Sequence, residues 1–221
     1  MADVAAGGRR TRPGRTVLLR TAIELMGEQG YDGTSTRDIA AAAGVSVAAL
    51  YHHFPSKLDV LREFLFEAHD VVVQRIRREV GAAGPDPRVQ LDAAVAVLIS
   101  ANLHDRFAQL ACTVAWRESA RLPEADRSVV QAKREAIVGV IETILRSGST
   151  GRLFPTADPI PVAWAILALC TSAVERYPTL GMTMAEIIEL HQRFALALAS
   201  TAPSASSGTA PRRRAPRVAT S

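Results

Sequence analysis

The sequence is poor in cysteine and aromatic residues, and it has no long apolar run. Two cysteines, Cys112 and Cys170, occur among 221 residues, and Phe, Trp and Tyr together make up 5%. Both cysteines lie in apolar helical patterns and no Cys or His spacing fits a zinc site, so we expect buried free thiols. The longest apolar runs, 93–99 and 162–170, are far shorter than the ~20 residues of a membrane span. We therefore expect a cytoplasmic protein without a membrane anchor, metal or cofactor.

Basic residues are concentrated at the two ends of the chain. Residues 1–20 contain five Arg and one Asp, and residues 201–221 contain four Arg and no acidic residue. With 26 basic and 22 acidic residues in the whole chain, 17 basic and 21 acidic residues remain between these ends. We expect a disordered basic arm over 1–14 and a disordered basic tail over 203–221, because neither has apolar periodicity. An arm of this charge is suited to meet phosphates.

The body of the chain has the apolar spacing of helices throughout, and strand-like alternation persists nowhere. We predict an all-α fold of two domains, a three-helix domain over 15–67 and a larger helical domain over 68–202. The longest predicted loop is 148–161. The predicted helices span 15–29, 57–80, 87–104, 106–120, 123–147, 161–177 and 183–200, with two short helices between 35 and 54.

The segment 34–57 has the layout of a helix-turn-helix. Ser35 is placed to cap a short helix, with Asp38 three residues later in a capping-box position. Gly44 supplies the positive φ that a tight helix exit needs, and Ser46 caps the next helix. Two short helices joined in this way form a reader of duplex DNA.

Residues 15–61 resemble the DNA-binding domain of the TetR family of bacterial regulators. The matching motifs are Thr36-Arg37-Asp38-Ile39-Ala40, Ala43-Gly44-Val45-Ser46, and Leu50-Tyr51-His52-His53-Phe54 with Lys57. The resemblance implies a homodimer that binds a palindromic double-stranded DNA operator and is released from it by a small-molecule effector. The family often has Gly or a polar residue near Ala48 and Ala49, so we expect few hydrogen bonds to bases from this part of the helix.

Eight residues are candidate DNA contacts: Thr36, Arg37, Ser46, Val47, Ala49, Tyr51, His52 and Lys57. Thr36 offers a hydroxyl and a helix N-terminal amide to a phosphate. Val47 and Ala49 offer apolar contact to thymine methyl groups. The resemblance implies that Tyr51 and His52 contact phosphates. Lys57 adds its charge to the N-terminus of the third helix.

The resemblance also implies that 15–67 is the DNA-binding domain and that 68–202 is an effector-binding and dimerisation domain, called the effector domain below. It places the dimer contact in the last two helices and the effector pocket among the middle helices. The dimer candidates are Ile166, Leu169, Ala173, Ile187, His191 and Phe194, although part of each apolar stripe must be intrachain core. The pocket candidates are Phe107, Leu110, Trp116, Leu145, Trp164 and Leu167, with Arg106, Arg117 or Arg121 available for an anionic group.

A second resemblance concerns the effector. The order of Arg152-Leu153-Phe154 in a loop, an apolar helix ending in Glu175-Arg176-Tyr177-Pro178, then Gly181 and a final helix that begins with a Thr183–Glu186 capping box is similar to TetR-type regulators of fatty-acid and steroid breakdown. Many of those respond to acyl-CoA thioesters. Three other functions are alternatives. An enzyme is disfavoured because no Gly-rich phosphate loop, metal cluster or nucleophile motif is present. The large apolar second domain argues against a pure protein-interaction module or chromosome-organising DNA binder, and a transcriptional activator is the third alternative.

Overall fold

The computed structural model describes residues 14–150, 153–155, 158–176 and 181–200, and the regular secondary structure within them is helical. The predicted tail, and the arm before Gly14, lie outside these residues. No helix in the described ranges is long and apolar enough to cross a membrane. The helices are α1 Arg15–Gln29, α2 Thr36–Ala42, α3 Val47–His53, α4 Lys57–Ala82, α5 Pro87–Leu103, α6 Arg106–Glu118, α7 Glu124–Thr150, α8 Pro159–Arg176 and α9 Met184–Ala199.

Side-chain caps mark the beginnings of several helices. Ser35 and Asp38 form the predicted capping box at the start of α2, and the Thr183 box at the start of α9 is also confirmed. The hydrogen bond from Ser35 lowers the pKa of the Asp38 carboxyl, so the box is intact at neutral pH. The Ser56 side chain accepts from the Asp59 amide at the start of α4. These caps satisfy amides that have no partner inside the helix.

The predicted loop over 148–161 is wrong in its extent, because α7 continues to Thr150 and α8 begins at Pro159. Gly148 is not a helix end. It lies under the fully buried ring of Phe154, and a Cβ placed on it would be 2.1 Å from the Phe154 Cδ2 atom. The glycine therefore permits close approach of the segment that follows the helix, which its sequence position alone did not distinguish from a stop signal.

The N-terminal core is formed by α1 to α4 together with residues from later in the chain. Its fully buried members include Ile23, Leu50, Phe54 and Leu61. The same cluster also takes in Val114 of α6, Leu122 and Val130 of α7. The core of the DNA-binding domain therefore includes residues from beyond the predicted boundary near Ala68. The position of that boundary remains a prediction.

The C-terminal core surrounds α5, which packs against α4, α7, α8 and α9. Val95, Ile99 and Ile141 are fully buried in it. Cys112 and Cys170 are both buried, as predicted. Burial raises the pKa of the Cys170 thiol to about 12, so this group stays protonated at neutral pH.

Two glycines of α7 give a matched test of this packing. We predict that Gly148→Ala destabilises the protein by about 1–3 kcal/mol, because the new methyl group overlaps the Phe154 ring. Gly139→Ala adds the same methyl group on the same helix with no atom within 4 Å, and it should stabilise by roughly 0.5–1 kcal/mol through helix propensity. Urea unfolding measures both. Equal effects of the two substitutions would contradict the packing described for Phe154.

Candidate DNA-binding surface and effector domain

The turn between α2 and α3 fixes the angle at which α3 is presented. Gly44 has φ of 67°, as predicted, and the Val45 amide donates to the Ala40 carbonyl at 2.9 Å. The Ser46 side chain accepts from the Ala49 amide at 3.1 Å and so caps α3. Leu50 is buried beneath α3, which leaves the opposite side of this helix facing outward.

The outward side of α3 and the start of α2 form one continuous surface. The hydroxyl oxygens of Thr36 and Tyr51 are 3.3 Å apart, so the two helices meet at these residues. Tyr51 is 47% exposed and His52 is exposed, which leaves the phenol and imidazole accessible to a phosphate. Val47 and Ala49 are half-buried beside them and present small apolar groups of the kind that contact thymine methyls.

Arg37 is the cation of this surface. Its side chain is exposed near the start of α2, and none of the ion pairs in the described part of the chain involves it. Because it carries no internal partner, its charge is available to DNA. The predicted contacts Thr36, Arg37, Ser46, Val47, Ala49, Tyr51 and His52 are therefore brought together on one side of the domain.

Lys57 has a different role from the predicted one. Its ammonium group donates to the carbonyls of Tyr31 and Thr34 at 2.7 Å each and lies 4.0 Å from the centroid of the Tyr31 ring. Two of its three hydrogens are thus used to hold the loop between α1 and α2. The sequence placed Lys57 at a helix N-terminus but gave no indication that these carbonyls converge on it.

Arg15 is a structural residue of the domain that the sequence did not single out. Its guanidinium donates to the His53 carbonyl at 2.6 Å, pairs with Glu63 of α4 and lies 4.4 Å from the centroid of the Phe54 ring. The hydrogen bond to Glu63 raises the pKa of this guanidinium. Arg15 thereby fixes the end of α3 to both α1 and α4. These partners are 38 and 48 residues away, so no short-range pattern could reveal them.

The effector domain contacts the DNA-binding domain through α6 and the 3-10 turn Ser119–Arg121 that follows it. Arg121 bonds Asp32 through two nitrogens, one at 3.1 Å and one at 2.5 Å, and it also pairs with Glu118. Its guanidinium carbon lies 4.9 Å from the centroid of the Tyr31 ring.

Three further contacts join α6 to α1. Arg106 pairs with Glu28 at 2.9 Å, and Arg20 lies 4.3 Å from the centroid of the Phe107 ring. Leu110 packs directly over Gly27, where an added Cβ would be 2.7 Å from the Leu110 Cβ. A cleft of about 300 Å³ separates the end of α1 from α6 beside these contacts. Any displacement of α6 therefore acts directly on the DNA-binding domain.

The six pocket candidates do not line one cavity. Phe107 packs with the N-terminal core, Trp116 is 61% exposed, and Leu145 is fully buried in the C-terminal core. Leu110 covers Gly27, whereas Trp164 and Leu167 pack against the C-terminal core. The prediction treated the apolar residues of the middle helices as one set, but helical periodicity does not say which of two cores a residue joins.

Most of the dimer candidates are intrachain core. Ile166, Ala173, Ile187 and His191 are each at most 5% exposed within the single chain, and the His191 Nδ1 atom is 2.8 Å from the Ile187 carbonyl. Leu169 is half-buried and Phe194 is 40% exposed. The predicted stripes mark the inner sides of α8 and α9. Their outward sides carry Ile160, Ala165, Ala168 and Ser172, and Arg193, Phe194 and Ala197.

Comparison with known proteins places the chain in a family. Residues 18–64 match the family described as bacterial regulatory proteins, tetR family, and residues 84–199 match the tetracyclin repressor-like C-terminal domain. The HTH-type transcriptional repressor KstR2 of Rhodococcus jostii is 43% identical over 81 residues. That segment is 37% of this chain and 39% of the relative, so the chain spans about two fifths of the length of this curated relative.

Two solved structures show the same fold. A bacterial regulatory protein in the tetR family from Rhodococcus RHA1 superposes with a TM-score of 0.78 and 23% identity, covering 87% of this chain and 100% of that one. AibR, solved in complex with isovaleryl coenzyme A and operator DNA, gives a TM-score of 0.73 and 23% identity, with 81% and 96% covered. The two matched segments together include both the helix-turn-helix and the helical second domain. The chain belongs to the tetR family of bacterial regulatory proteins.

Proposed function

We propose that the protein is a homodimeric transcriptional repressor that a small molecule releases from a palindromic operator. The observation that carries this proposal is the single surface of Thr36, Arg37, Val47, Tyr51 and His52 on a capped helix-turn-helix. The family supports it, as do the curated name of KstR2, a transcriptional repressor, and the AibR complex with an acyl-CoA and operator DNA.

The chemistry of this surface predicts how DNA is read. Hydroxyl, imidazole and guanidinium groups donate to phosphates and set the position of α3 in the major groove. Val47 and Ala49 discriminate by apolar contact with thymine methyls, so we expect an operator whose contacted steps contain T. One such domain reads about half a turn of DNA, and two copies about 34–36 Å apart, or a multiple of that, read a palindrome.

The second copy docks on the outward sides of α8 and α9. Ala165, Ala168 and Ser172 are exposed at spacings of three and four residues, which places them along one side of α8. Small side chains allow a partner helix to approach closely, and Phe194 on α9 supplies a large apolar side chain that is 40% exposed in the single chain. We propose this outward surface as the dimer interface in place of the predicted residues that are buried within the single chain.

Release follows from linkage between the effector and the operator. A ligand that binds one geometry of the effector domain more tightly shifts the dimer toward that geometry. Because α6 and the turn after it bond to α1 and Asp32, a shift of α6 changes the spacing of the two recognition helices. We further propose that the effector is an acyl-CoA thioester, as in the complex solved for AibR.

The direct test is fluorescence anisotropy with DNA from upstream of the protein's own gene and with a scrambled sequence. Specific binding to the upstream DNA, lost on adding one acyl-CoA from a panel, is the expected result. Specific binding that no thioester affects would remove the acyl-CoA proposal and keep the regulator. Equal, salt-sensitive binding to both DNAs would contradict a sequence-specific repressor and favour the architectural alternative.

Tyr51 tests the DNA surface. Tyr51→Phe removes one hydroxyl that is placed to donate to a phosphate, so we predict that operator affinity falls roughly tenfold. Tyr31→Phe is the matched control, because Tyr31 lies under Lys57 and Arg121 and away from α3. Its affinity for the operator should change less than about twofold. Equal losses in the two variants, measured by anisotropy, would contradict the assignment of the surface.

Arg121 tests the coupling between the two domains. Arg121→Gln breaks the bonds to Asp32, so the acyl-CoA that releases the wild type should lower operator affinity at least about fivefold less in the variant. Arg146→Gln is the control, since Arg146 pairs with Glu142 within α7 and contacts no residue of the DNA-binding domain among its described bonds. A parallel collapse of ligand-free operator binding in Arg121→Gln would indicate general damage and contradict a coupling role.

A further inference from the structure

Arg134 is a half-buried cation of the effector domain that faces no carboxylate. It projects from α7 toward α4 and α6, where its Nε atom lies 3.4 Å from His69 Nε2 and its terminal nitrogen lies 3.4 Å from the Ala115 carbonyl. Among the ion pairs of the described residues, Arg106, Arg121, Arg127 and Arg146 each have a carboxylate partner, and Arg134 has none.

The position of Arg134 is unfavourable for the ligand-free protein. Both of its bonds are longer than the usual 2.7–3.2 Å for a nitrogen donor, and a guanidinium has five hydrogens to donate. Burial lowers the pKa of this guanidinium, which reflects the cost of removing its charge from water. Arg117 has no described ion pair either, but it is exposed, so solvent satisfies it. A desolvated charge without a counter-ion is typical of a binding site.

His69 holds Arg134 in place without neutralising it. The His69 Nδ1 atom is 2.7 Å from the Leu65 carbonyl, which only accepts, so Nδ1 carries the ring hydrogen. The Nε2 atom is then an acceptor for Arg134. One edge of the guanidinium is therefore held by a neutral ring and one terminal nitrogen by the Ala115 carbonyl, which leaves three of its five hydrogens without a described acceptor. The planar fork is prepared for a second, charged acceptor.

A groove lies beside Arg134, which is one of its lining residues. It has a volume of about 550 Å³, within the range of small-molecule sites, and it runs between the 3-10 turn and the first three turns of α7. Its carboxylates are already engaged, because Glu124 pairs with Arg127 and Glu135 accepts from Gln131 at 3.0 Å. The polar and charged lining residues are Ser119, Glu124, Arg127, Ser128, Gln131, Arg134 and Glu135.

We propose that Arg134 binds the carboxylate or phosphate group of an anionic small molecule that enters this groove. The inference rests on the proposed function and deepens it, since it assigns the residue that recognises the charged group of the effector. The groove borders the turn that carries Arg121, whose bonds to Asp32 hold the DNA-binding domain. An anion drawn toward Arg134 thus acts beside the contact that couples the two domains.

Calorimetric titration with inorganic phosphate, octanoate and coenzyme A tests the site. The wild type should bind at least one of these probes, and Arg134→Gln should bind it at least tenfold more weakly. The probe that binds distinguishes a phosphate site from a carboxylate site. Arg146→Gln is the control, because it removes an arginine of the same helix that already has a carboxylate partner. It should bind as the wild type does.

Thermal unfolding separates recognition from a structural role. Removing an unpaired, desolvated charge should leave the ligand-free melting temperature of Arg134→Gln unchanged or higher, while Arg134→Lys keeps the charge without the fork and should bind at an intermediate level. The proposal is overturned if Arg134→Gln binds as tightly as the wild type, if no probe binds the wild type, or if both variants melt well below it. Operator binding is measured in parallel, so a wild type that takes up a probe but ignores its upstream DNA would refute only the proposed function.

The titration of His69 gives an independent readout. Burial lowers the pKa of His69 most, the hydrogen bond to the Leu65 carbonyl raises it, the charges of Arg134 and Lys133 lower it, and the charge of Asp70 raises it, with a net lowering. Cys112 on α6 also lies near Arg134. An anion on Arg134 offsets the positive charge, so binding should raise the pKa of His69 in an NMR titration of its ring. An unchanged His69 titration in the presence of a bound probe would place the anion elsewhere and overturn the site.

Discussion

The helix α4 is the constraint on which the rest of the structure depends. It runs for 26 residues from Lys57 to Ala82 and contributes to both hydrophobic cores. Phe64 and Leu65 lie in the N-terminal core, and Val73 and Ile76 lie in the C-terminal core. Because one continuous helix is packed at both ends, the DNA-binding domain cannot reorient without disturbing the packing of the effector domain.

The contacts between α6 and α1 are the second connection, and they differ from α4 in kind. Leu110 over Gly27 is a close apolar contact, whereas the bonds of Arg106 to Glu28 and of Arg121 to Asp32 are partly exposed ion pairs. Exposed pairs of this kind contribute little stability, typically below about 1 kcal/mol. They therefore set the position of α6 relative to α1 while contributing little to the free energy of folding. The proposed ligand can alter such a connection at small cost in free energy.

The sequence predicted local structure better than long-range contacts. The caps at Ser35, Ser46 and Thr183 and the positive φ of Gly44 were predicted correctly, because each depends on residues within four positions. The all-α fold followed from apolar periodicity in the same way. What periodicity could not supply was the identity of the partner. Ile166 and Ile187 are apolar in either interpretation, and only the packed structure shows that they belong to the intrachain core.

Charged residues were the least predictable part of the site. Lys57 was expected on DNA and instead bonds two carbonyls of the loop before α2. Arg106 and Arg121 were expected near the effector and instead bond the DNA-binding domain, and no local pattern distinguishes Arg134 from the other arginines. A long cationic side chain reaches groups far away in sequence, so its partner depends on the tertiary fold. The candidate DNA contacts other than Lys57 are brought together on one surface, because they lie on two adjacent short helices. Their contact with DNA stays a prediction.

The distance between the two recognition helices in the dimer is the most direct test of the proposed coupling between effector and operator. Gln29 is exposed at the end of α1, outside the proposed DNA surface, and both native thiols are buried. A spin label on Gln29→Cys in each subunit therefore reports the separation of the two DNA-binding domains, and with it that of the recognition helices, by pulsed electron paramagnetic resonance. On operator DNA we predict a single distance distribution, compatible with recognition helices about 34–36 Å apart. Adding the releasing ligand should shift this distribution by several ångströms. An unchanged distribution at a ligand concentration that releases the operator would contradict coupling through α6 and α1.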